Sequence, residues 1–197
     1  GKGFALASGL ERALRLGAER VVTLDADGQH SPSDIPRLEY AATQNANAVV
    51  IAARLRGRER APALRRFAND VADFWISWAC GCRVPDSQSG FRLYPAQTLA
   101  RLGTRPCADQ GFAFESALLI DAVREGADVV AVPVETRYQA CPRASHYRPW
   151  RDTWSIIKVI GWSLLRRGMY PAGLRRALRA NTRSRNRGAI VSSGDPE

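Results

Sequence analysis

The sequence predicts an α/β protein with a mostly parallel sheet and helices on both faces. Two apolar runs typical of buried strands, Val21–Asp25 and Ala48–Ala53, each follow a segment whose apolar residues have helical spacing. Such a succession of helix and strand with short connections is typical of parallel sheets that are covered on both faces. In addition, 197 residues with 45% hydrophobic side chains suffice for one sizeable core.

The individual elements follow from local patterns. Residues Phe4 to Gly17 are predicted to form the first helix, with the glycine as its C-terminal stop. Ser33 is predicted to cap a second helix that runs to about Asn45, because serine is a favoured N-cap residue. Pro36 is compatible with this helix, since proline is tolerated in a first turn. A polar loop from Val84 then leads into a short strand. The remaining predicted elements are helices over 63–79, 95–102 and 112–126, and one or two strands over 129–138 broken near Pro133.

A helix rich in tryptophan and aliphatic residues is predicted from Trp150 to Gly168. Its apolar run is interrupted by Lys158 and is shorter than the roughly 20 residues that span a bilayer. Aromatic and apolar residues flanked by Arg151 and Arg166 suit a helix at a membrane interface. A final core-packing helix fits the same pattern equally well, so both alternatives remain.

The composition restricts the partners of the chain. A formal net charge of +10 indicates anionic partners, which could be nucleic acid, phosphorylated small molecules or an acidic membrane face. The cysteines have neither a paired disulfide spacing nor a CxxC zinc motif, and we therefore expect reduced thiols in a cytosolic setting, with zinc as a minor alternative. They are Cys80, Cys82, Cys107 and Cys141.

The first predicted strand ends in two carboxylates separated by one residue, Asp25 and Asp27. Side chains two residues apart on a strand point to the same side, so the pair could hold one divalent cation. Gly28 allows a tight turn, and Gln29 adds a neutral oxygen that suits Mg²⁺ or Mn²⁺. An ordinary polar turn is the alternative, because aspartate and glycine are common turn residues.

The segment from Arg54 to Pro62 is strongly basic and is predicted to be a loop. A metal site beside several arginines favours a phosphate or diphosphate substrate, because guanidinium groups offer fork-shaped donors to phosphate oxygens. Gly1-Lys2-Gly3, before the first helix, could also approach a phosphate.

The order of three motifs resembles glycosyltransferase family 2. These motifs are Gly1-Lys2-Gly3, then Asp25 to His30 with Pro32 and Asp34-Ile35-Pro36, then Asp86-Ser87-Gln88-Ser89-Gly90-Phe91-Arg92. The branch most similar to this chain contains dolichyl-phosphate mannose synthase and bacterial polyprenyl-phosphate glycosyltransferases. The resemblance covers residues 1 to about 152 and implies the GT-A fold, with inverting transfer of a sugar from a nucleotide-diphosphate donor.

The resemblance also implies roles for individual residues. Asp25, Asp27 and Gln29 match the metal-binding motif of the family, for Mg²⁺ or Mn²⁺. Arg54 and Arg65 resemble arginines that face the donor phosphates and an acceptor phosphate. Asp86 matches an acid at the sugar site, and for a hydroxyl acceptor Asp86 or Glu115 would be the base. The residues expected in a basic loop that closes over the donor are Arg143, Ser145 and His146.

The implied partners are a nucleotide-diphospho-sugar donor and a lipid-phosphate or other envelope acceptor. We expect a bacterial protein in the cytoplasm, peripheral on the cytoplasmic face of the membrane, with an anionic membrane surface as a further partner and no specific nucleic acid.

The domain prediction is a partial GT-A catalytic domain over 1–149, an amphipathic helical region over 150–180 and a disordered basic tail over 181–197. The family normally begins with a strand, a helix and a further strand, which the sequence does not contain before Gly1. We therefore expect an N-terminally truncated domain.

Two other functions fit parts of the sequence. A sugar-phosphate nucleotidyltransferase would also use acids, a metal ion and a related sheet. A non-enzymatic basic module would bind nucleic acid or an anionic membrane through its arginines, with a strong dependence on salt.

Overall fold

The computed structural model describes residues 1–26, 28–56, 63–103, 113–135, 149–166 and 168–179, and at 56, 64, 65 and 149–155 it describes the backbone alone. The strands are β1 (Arg20–Thr23), β2 (Ala48–Arg56), β3 (Arg92–Pro95) and β4 (Asp128–Glu135). The helices are α1 (Lys2–Arg15), α2 (Ile35–Gln44), α3 (Ala63–Cys80), α4 (Ala96–Leu102), α5 (Ala113–Arg124), α6 (Pro149–Leu165) and α7 (171–179).

The strands form a mixed sheet in the order β1-β3-β2-β4. β2 and β4 pair in parallel, whereas β3 lies between β1 and β2 and is antiparallel to both. Three of the four strands in the described chain therefore run in one direction. The α/β class is confirmed, and the reversed strand is the one that follows the polar loop after α3.

Strand β2 separates two apolar clusters because its side chains alternate between the faces of the sheet. Val49 and Ile51 pack with residues from α1, α3, α4, α5 and α6 on one face. Val50 and Ala52 pack on the other face with Leu38 of α2. The predicted helices on both faces are thus present.

Two local predictions differ from the structure. Ser33 lies inside a short 3₁₀ turn, where its hydroxyl is 2.7 Å from that of Ser31, and Asp34 is the residue before α2. Pro133 does not break β4, which continues to Glu135. Among the described strands β4 has one neighbour, and an edge position tolerates a residue that cannot donate an N–H to a ladder.

Helix α6 has one face in the core and one face exposed. Ile160 and Leu164 are buried in the larger cluster, which confirms core packing, whereas Ile157, Trp162 and Leu165 are exposed. The part of the chain that the structure describes contains no helix long and apolar enough to cross a bilayer. The predicted tail over 181–197 lies outside the described residues.

Cys80 is buried and Cys82 is half-buried, and neither is part of a disulfide among the described residues. Burial, with a further contribution from the charge of Asp128, raises the pKa of Cys82 to about 11, so this residue is a neutral thiol at physiological pH. Cys107 and Cys141 lie outside the described residues.

Candidate active site

The end of β1 and the loop before β3 lie side by side. The Thr23 hydroxyl donates to the carbonyl of Gly90, with an Oγ1–O distance of 3.0 Å. Gly90 approaches Asp25 so closely that an added Cβ would lie 2.8 Å from the Asp25 Cγ. Two of the three sequence motifs that carry the family resemblance therefore meet at one edge of the sheet, and a side chain at position 90 would have to displace the Asp25 carboxylate.

Lys2 connects two carboxylates at this edge. Its Nζ lies 2.7 Å from Oδ1 of Asp25 and 2.8 Å from Oε2 of Glu115, at the N-terminal end of α5. Burial by itself would lower the pKa of Lys2, but the charge of Glu115 and the hydrogen bonds to both acids raise it above the ordinary value. The site therefore holds a cation between Asp25 and Glu115 at neutral pH.

Arg54 and Asp86 form a second ion pair, at the end of β2. The Asp86 carboxylate accepts three hydrogen bonds from Arg54, from the backbone N at 2.7 Å, from Nε at 2.9 Å and from Nη2 at 2.7 Å. Burial by itself would raise the pKa of Asp86, but these hydrogen bonds and the charge of Arg54 hold it below the ordinary value. Asp86 is therefore ionised and fully engaged with Arg54.

Helix α3 holds the loop that carries Asp86. The Asp73 carboxylate accepts from the backbone N of Asp86 at 3.0 Å and from that of Ser87 at 2.7 Å. One turn later, the Ser77 hydroxyl accepts from the backbone N of Val84 at 2.9 Å. Sequence analysis missed both side chains. Two polar residues four positions apart on the inward side of a largely apolar helix were the signal that could have identified them.

Arg92 is buried below the same loop, at 1% exposure. Its guanidinium donates to the carbonyls of Ser87 at 2.6 Å, Ser89 at 2.8 Å and Glu115 at 2.8 Å. A buried charge requires such partners, and here they come from the loop and from α5. Its role is therefore to join these two segments.

The loop is also attached to β2. Ser89 donates its hydroxyl to the carbonyl of Ala52 at 2.7 Å, and the amide of Ala52 donates to the carbonyl of Phe91 at 2.9 Å. His30, from the turn after β1, is buried and packs its ring edge against Phe91, with 5.4 Å between centroids. His30 therefore contributes packing between the turn after β1 and the loop before β3.

The structure brings Lys2, Asp25 and Glu115 together in one group and Arg54 and Asp86 together in another. Gln29 is half-buried in the turn after β1. Arg65 lies in the first turn of α3, and its side chain is not described. The predicted residues outside the described part of the chain are Asp27, Arg143, Ser145 and His146.

The predicted metal ligands remain a prediction. The described residues contain no group of three or more histidine, cysteine, aspartate or glutamate side chains placed to hold a metal ion. The donor set nevertheless fits a hard cation, because Asp25 supplies carboxylate oxygen, Gln29 supplies amide oxygen and the edge already attracts the ammonium group of Lys2. Asp25 and Gln29, together with Asp27, could hold Mg²⁺ or Mn²⁺.

No protein-family model matches the chain. The chain is similar to a UDP-N-acetylglucosamine–dolichyl-phosphate N-acetylglucosaminyltransferase of Methanococcus voltae, with 31% identity over 141 residues that cover 70% of the chain and 56% of the relative. An undecaprenyl-phosphate mannosyltransferase of Micrococcus luteus is 28% identical over 136 residues, 68% of the chain and 56% of the relative. A polyprenol monophosphomannose synthase of Mycolicibacterium smegmatis is 27% identical over 136 residues, 68% of the chain and 51% of the relative.

These similarities and the α/β architecture confirm the resemblance expected from the sequence. The protein has the GT-A fold, and its sequence is similar to members of glycosyltransferase family 2. The names of all three relatives refer to a dolichyl, undecaprenyl or polyprenol phosphate lipid. The chain spans about half the length of these curated relatives.

Replacing Asp86 with asparagine tests the ion pair with Arg54. Asparagine keeps the shape and tolerates the positive φ of 50° at this position, but it leaves a largely buried guanidinium without its counter-ion. We expect the free energy of unfolding at pH 7 to fall by about 3 kcal/mol in denaturant titrations. Asp128→Asn, at an exposed residue, should change it by less than about 0.5 kcal/mol.

The stabilisation by the Arg54–Asp86 pair should depend on pH. Because the pKa of Asp86 is lowered in the folded protein, its stabilising contribution is complete above the unfolded-state value of about 3.9. That contribution disappears as the pH falls through the lower folded-state value. The difference between wild type and Asp86→Asn should therefore shrink at acid pH, and a constant difference would contradict the assignment.

Replacing Gly90 with alanine tests the contact between the two motifs. We expect a loss of about 1–3 kcal/mol in the free energy of unfolding, because the new Cβ overlaps the Asp25 carboxylate. In an Asp25→Ala background the same substitution should cost at least about 1 kcal/mol less, which a double-mutant cycle measures. Gly9→Ala in α1, where open space surrounds the added Cβ, is the matched control and should stabilise the helix. Equal costs in both backgrounds would show that the two motifs do not touch.

Proposed function

We propose that the full-length protein is an inverting glycosyltransferase that moves a sugar from a nucleotide-diphosphate donor to a polyprenyl phosphate or related lipid-linked acceptor. The observation that supports this most directly is the close approach of Asp25 to Gly90, in the same loop whose Asp86 is paired with Arg54. The named activities of the three relatives agree with it.

The charges at this edge suit a donor diphosphate. Near the end of β2, Arg54 has a guanidinium group that can donate to phosphate oxygens, and Lys2 places a second positive charge beside Asp25. Mg²⁺ or Mn²⁺, held by Asp25, Asp27 and Gln29, would neutralise the charge that develops on the leaving nucleoside diphosphate. The protein's own contribution is to orient the donor between these groups.

The state of the carboxylates favours a phosphate acceptor over a hydroxyl. A general base works best when its pKa lies near the operating pH, whereas the pKa of Asp86 is lowered and both its oxygens bind Arg54. Glu115, the other candidate base, is paired with Lys2. A lipid phosphate is already an anionic nucleophile and needs no base, which supports this acceptor class.

Metal-dependent binding tests the proposal. Full-length wild type should bind a nucleoside diphosphate in the presence of Mn²⁺, measured by calorimetry against a panel that includes UDP and GDP. Asp27→Ala should weaken this binding roughly tenfold or more, because a charged metal ligand is lost. Asp34→Asn, which removes an acid that pairs locally with Arg37, should leave binding unchanged. Metal-independent binding, or equal binding by wild type and Asp27→Ala, would refute the proposed donor site.

The products separate the rival functions. A glycosyltransferase releases nucleoside diphosphate, whereas a sugar-phosphate nucleotidyltransferase releases pyrophosphate. A non-enzymatic basic module would instead show salt-sensitive binding to nucleic acid that survives the loss of both Asp25 and Asp27.

A lipid acceptor also suggests a position for the protein in the cell, and we propose that it lies peripherally on the cytoplasmic face of an anionic membrane. Phe67, Val71 and Trp75 are exposed along one stripe of α3. Trp75 stacks on Trp78 with 5.2 Å between ring centroids, and the Trp78 indole donates to the carbonyl of Met169 at 3.1 Å. The exposed stripe of α3 is therefore continuous with the segment after α6.

Helix α6 supports the same proposal. Trp162 and Leu165 are exposed, and the guanidinium of Arg166 lies 4.9 Å from the centre of the Trp162 ring. Aromatic side chains beside cationic groups suit the boundary between headgroups and acyl chains. The net charge of +10 adds an attraction to anionic lipids.

Liposome flotation tests this membrane face. We expect the protein to float with vesicles that contain anionic lipid at low salt. The double variant Trp75→Ser/Trp162→Ser should lose most of this binding, because two exposed aromatic anchors are removed. Tyr40→Ser is the matched control, since Tyr40 is 69% exposed on α2, whereas Trp162 is 59% exposed on α6. Flotation that is absent, or reduced equally by the control, would leave core packing as the whole role of α6.

A further inference from the structure

We infer that Asp73 of α3 is a positioning residue for the Arg54–Asp86 pair and, through it, for the donor diphosphate. The role in donor binding rests on the proposed function. The two oxygens of the Asp73 carboxylate accept separately, Oδ2 from the amide of Asp86 and Oδ1 from the amide of Ser87. Such a two-pronged contact determines the orientation of two successive peptide groups as well as their distance from α3.

The backbone at Asp86 needs such support. Its φ is +50°, in the left-handed region, which is uncommon for residues with a side chain although aspartate adopts it more readily than most. A conformation of this kind persists when surrounding contacts hold it. Asp73 holds the amide side of the strained residue, and the buried Arg92 holds the next carbonyl, that of Ser87, at 2.6 Å.

The strained backbone aims the Asp86 side chain at Arg54. From this position one carboxylate receives the backbone amide and two guanidinium nitrogens of Arg54. A continuous series of hydrogen bonds therefore runs from Asp73 through the loop amides and Asp86 to the guanidinium at the end of β2. Asp73 acts on the donor site only through Asp86 and Arg54.

The carboxylate at position 73 is placed there against an electrostatic cost. Burial raises the pKa of Asp73, and the nearby charge of Asp86 adds to this, although the hydrogen bonds from Ser87 and Asp86 lower it. An asparagine would avoid the charge, but its amide nitrogen would turn an N–H toward one of the two backbone donors. Two acceptor oxygens are the property that this position requires.

The substitution Asp73→Asn tests the inference in the full-length protein. Amide exchange measured by NMR should become about tenfold to a hundredfold faster at Asp86 and Ser87, because a hydrogen bond to a charged acceptor is lost. In sugar transfer the donor KM should rise about tenfold, with the acceptor KM unchanged. A merely structural role would instead lower the apparent kcat in proportion to the folded fraction and leave both KM values as in wild type.

Two control variants and one wild-type measurement complete the test. Asp70→Asn makes the same chemical change at an exposed position of α3 and should alter neither readout. Ser77→Ala removes the acceptor for Val84 and should speed exchange at Val84, but not at Asp86 or Ser87. In wild type the amides of Asp86 and Ser87 should exchange far more slowly than those of an unstructured peptide. This measurement tests the inference even if Asp73→Asn fails to fold.

The outcomes distinguish this inference from the proposed function. Wild-type exchange at unstructured rates, or wild-type exchange and donor KM in Asp73→Asn, would overturn the role of Asp73. Altered exchange with an unchanged donor KM would reduce Asp73 to a structural residue and also overturn the inference. If wild type fails to bind any nucleoside diphosphate with Mn²⁺, the proposed function fails and the donor role of Asp73 fails with it. Slow wild-type exchange at Asp86 and Ser87 would in that case still support the hydrogen bonds from these amides to Asp73.

Discussion

The burial of one guanidinium group, that of Arg92, is the constraint on which the candidate site depends. A charged group removed from water is costly unless its donors are satisfied, and here the partners are the carbonyls of Ser87, Ser89 and Glu115. Because these carbonyls come from the loop before β3 and from the start of α5, a single side chain defines the distance between those segments. The side chains of the loop are available for the candidate site because Arg92 already binds the backbone carbonyls of the loop.

Neighbouring elements then hold the same loop from several sides. Helix α3 contributes Asp73 and Ser77, β2 accepts the hydroxyl of Ser89, and β1 contributes the hydroxyl of Thr23. Backbone N–H and C=O groups in a buried loop need hydrogen-bond partners. Here side chains supply these partners, as neighbouring strands do within a sheet. The result is a rigid support for Asp86, although the residue lies outside any regular element.

The charges at the edge of the sheet are balanced by pairing. Lys2 lies between Asp25 and Glu115, and Arg54 lies against Asp86, so each of these three acids has a cationic partner. In the proposed function, a donor diphosphate and its metal ion enter a place where ion pairs already exist. On binding, the charged side chains would exchange their present partners for the phosphates and the metal ion, and few charges would be left unpaired. Such an exchange costs less free energy than burying new isolated charges.

Much of the fold and part of the site could be predicted from local sequence. Apolar runs and helical spacing identified the elements, because burial on one face imposes a period that is visible in the residues themselves. Gly1-Lys2-Gly3, the acidic stretch from Asp25 and the segment Asp86 to Arg92 were recognised as a set because their order resembles one family, and the role of Arg54 was inferred from that resemblance. The predicted roles of Asp27, Arg65 and the residues 143–146 remain predictions from that resemblance.

The tertiary structure alone decided how these segments meet. The reversed direction of β3, between β1 and β2, places Gly90 against Asp25, and no local pattern specifies the neighbours or direction of a four-residue strand. The role of Asp73 cannot be predicted from its polarity alone, because it depends on the loop amides that the fold places against α3. The sequence by itself determined which residues carry charge and which segments bury apolar surface, whereas contacts between residues distant in the chain decided which charges face each other.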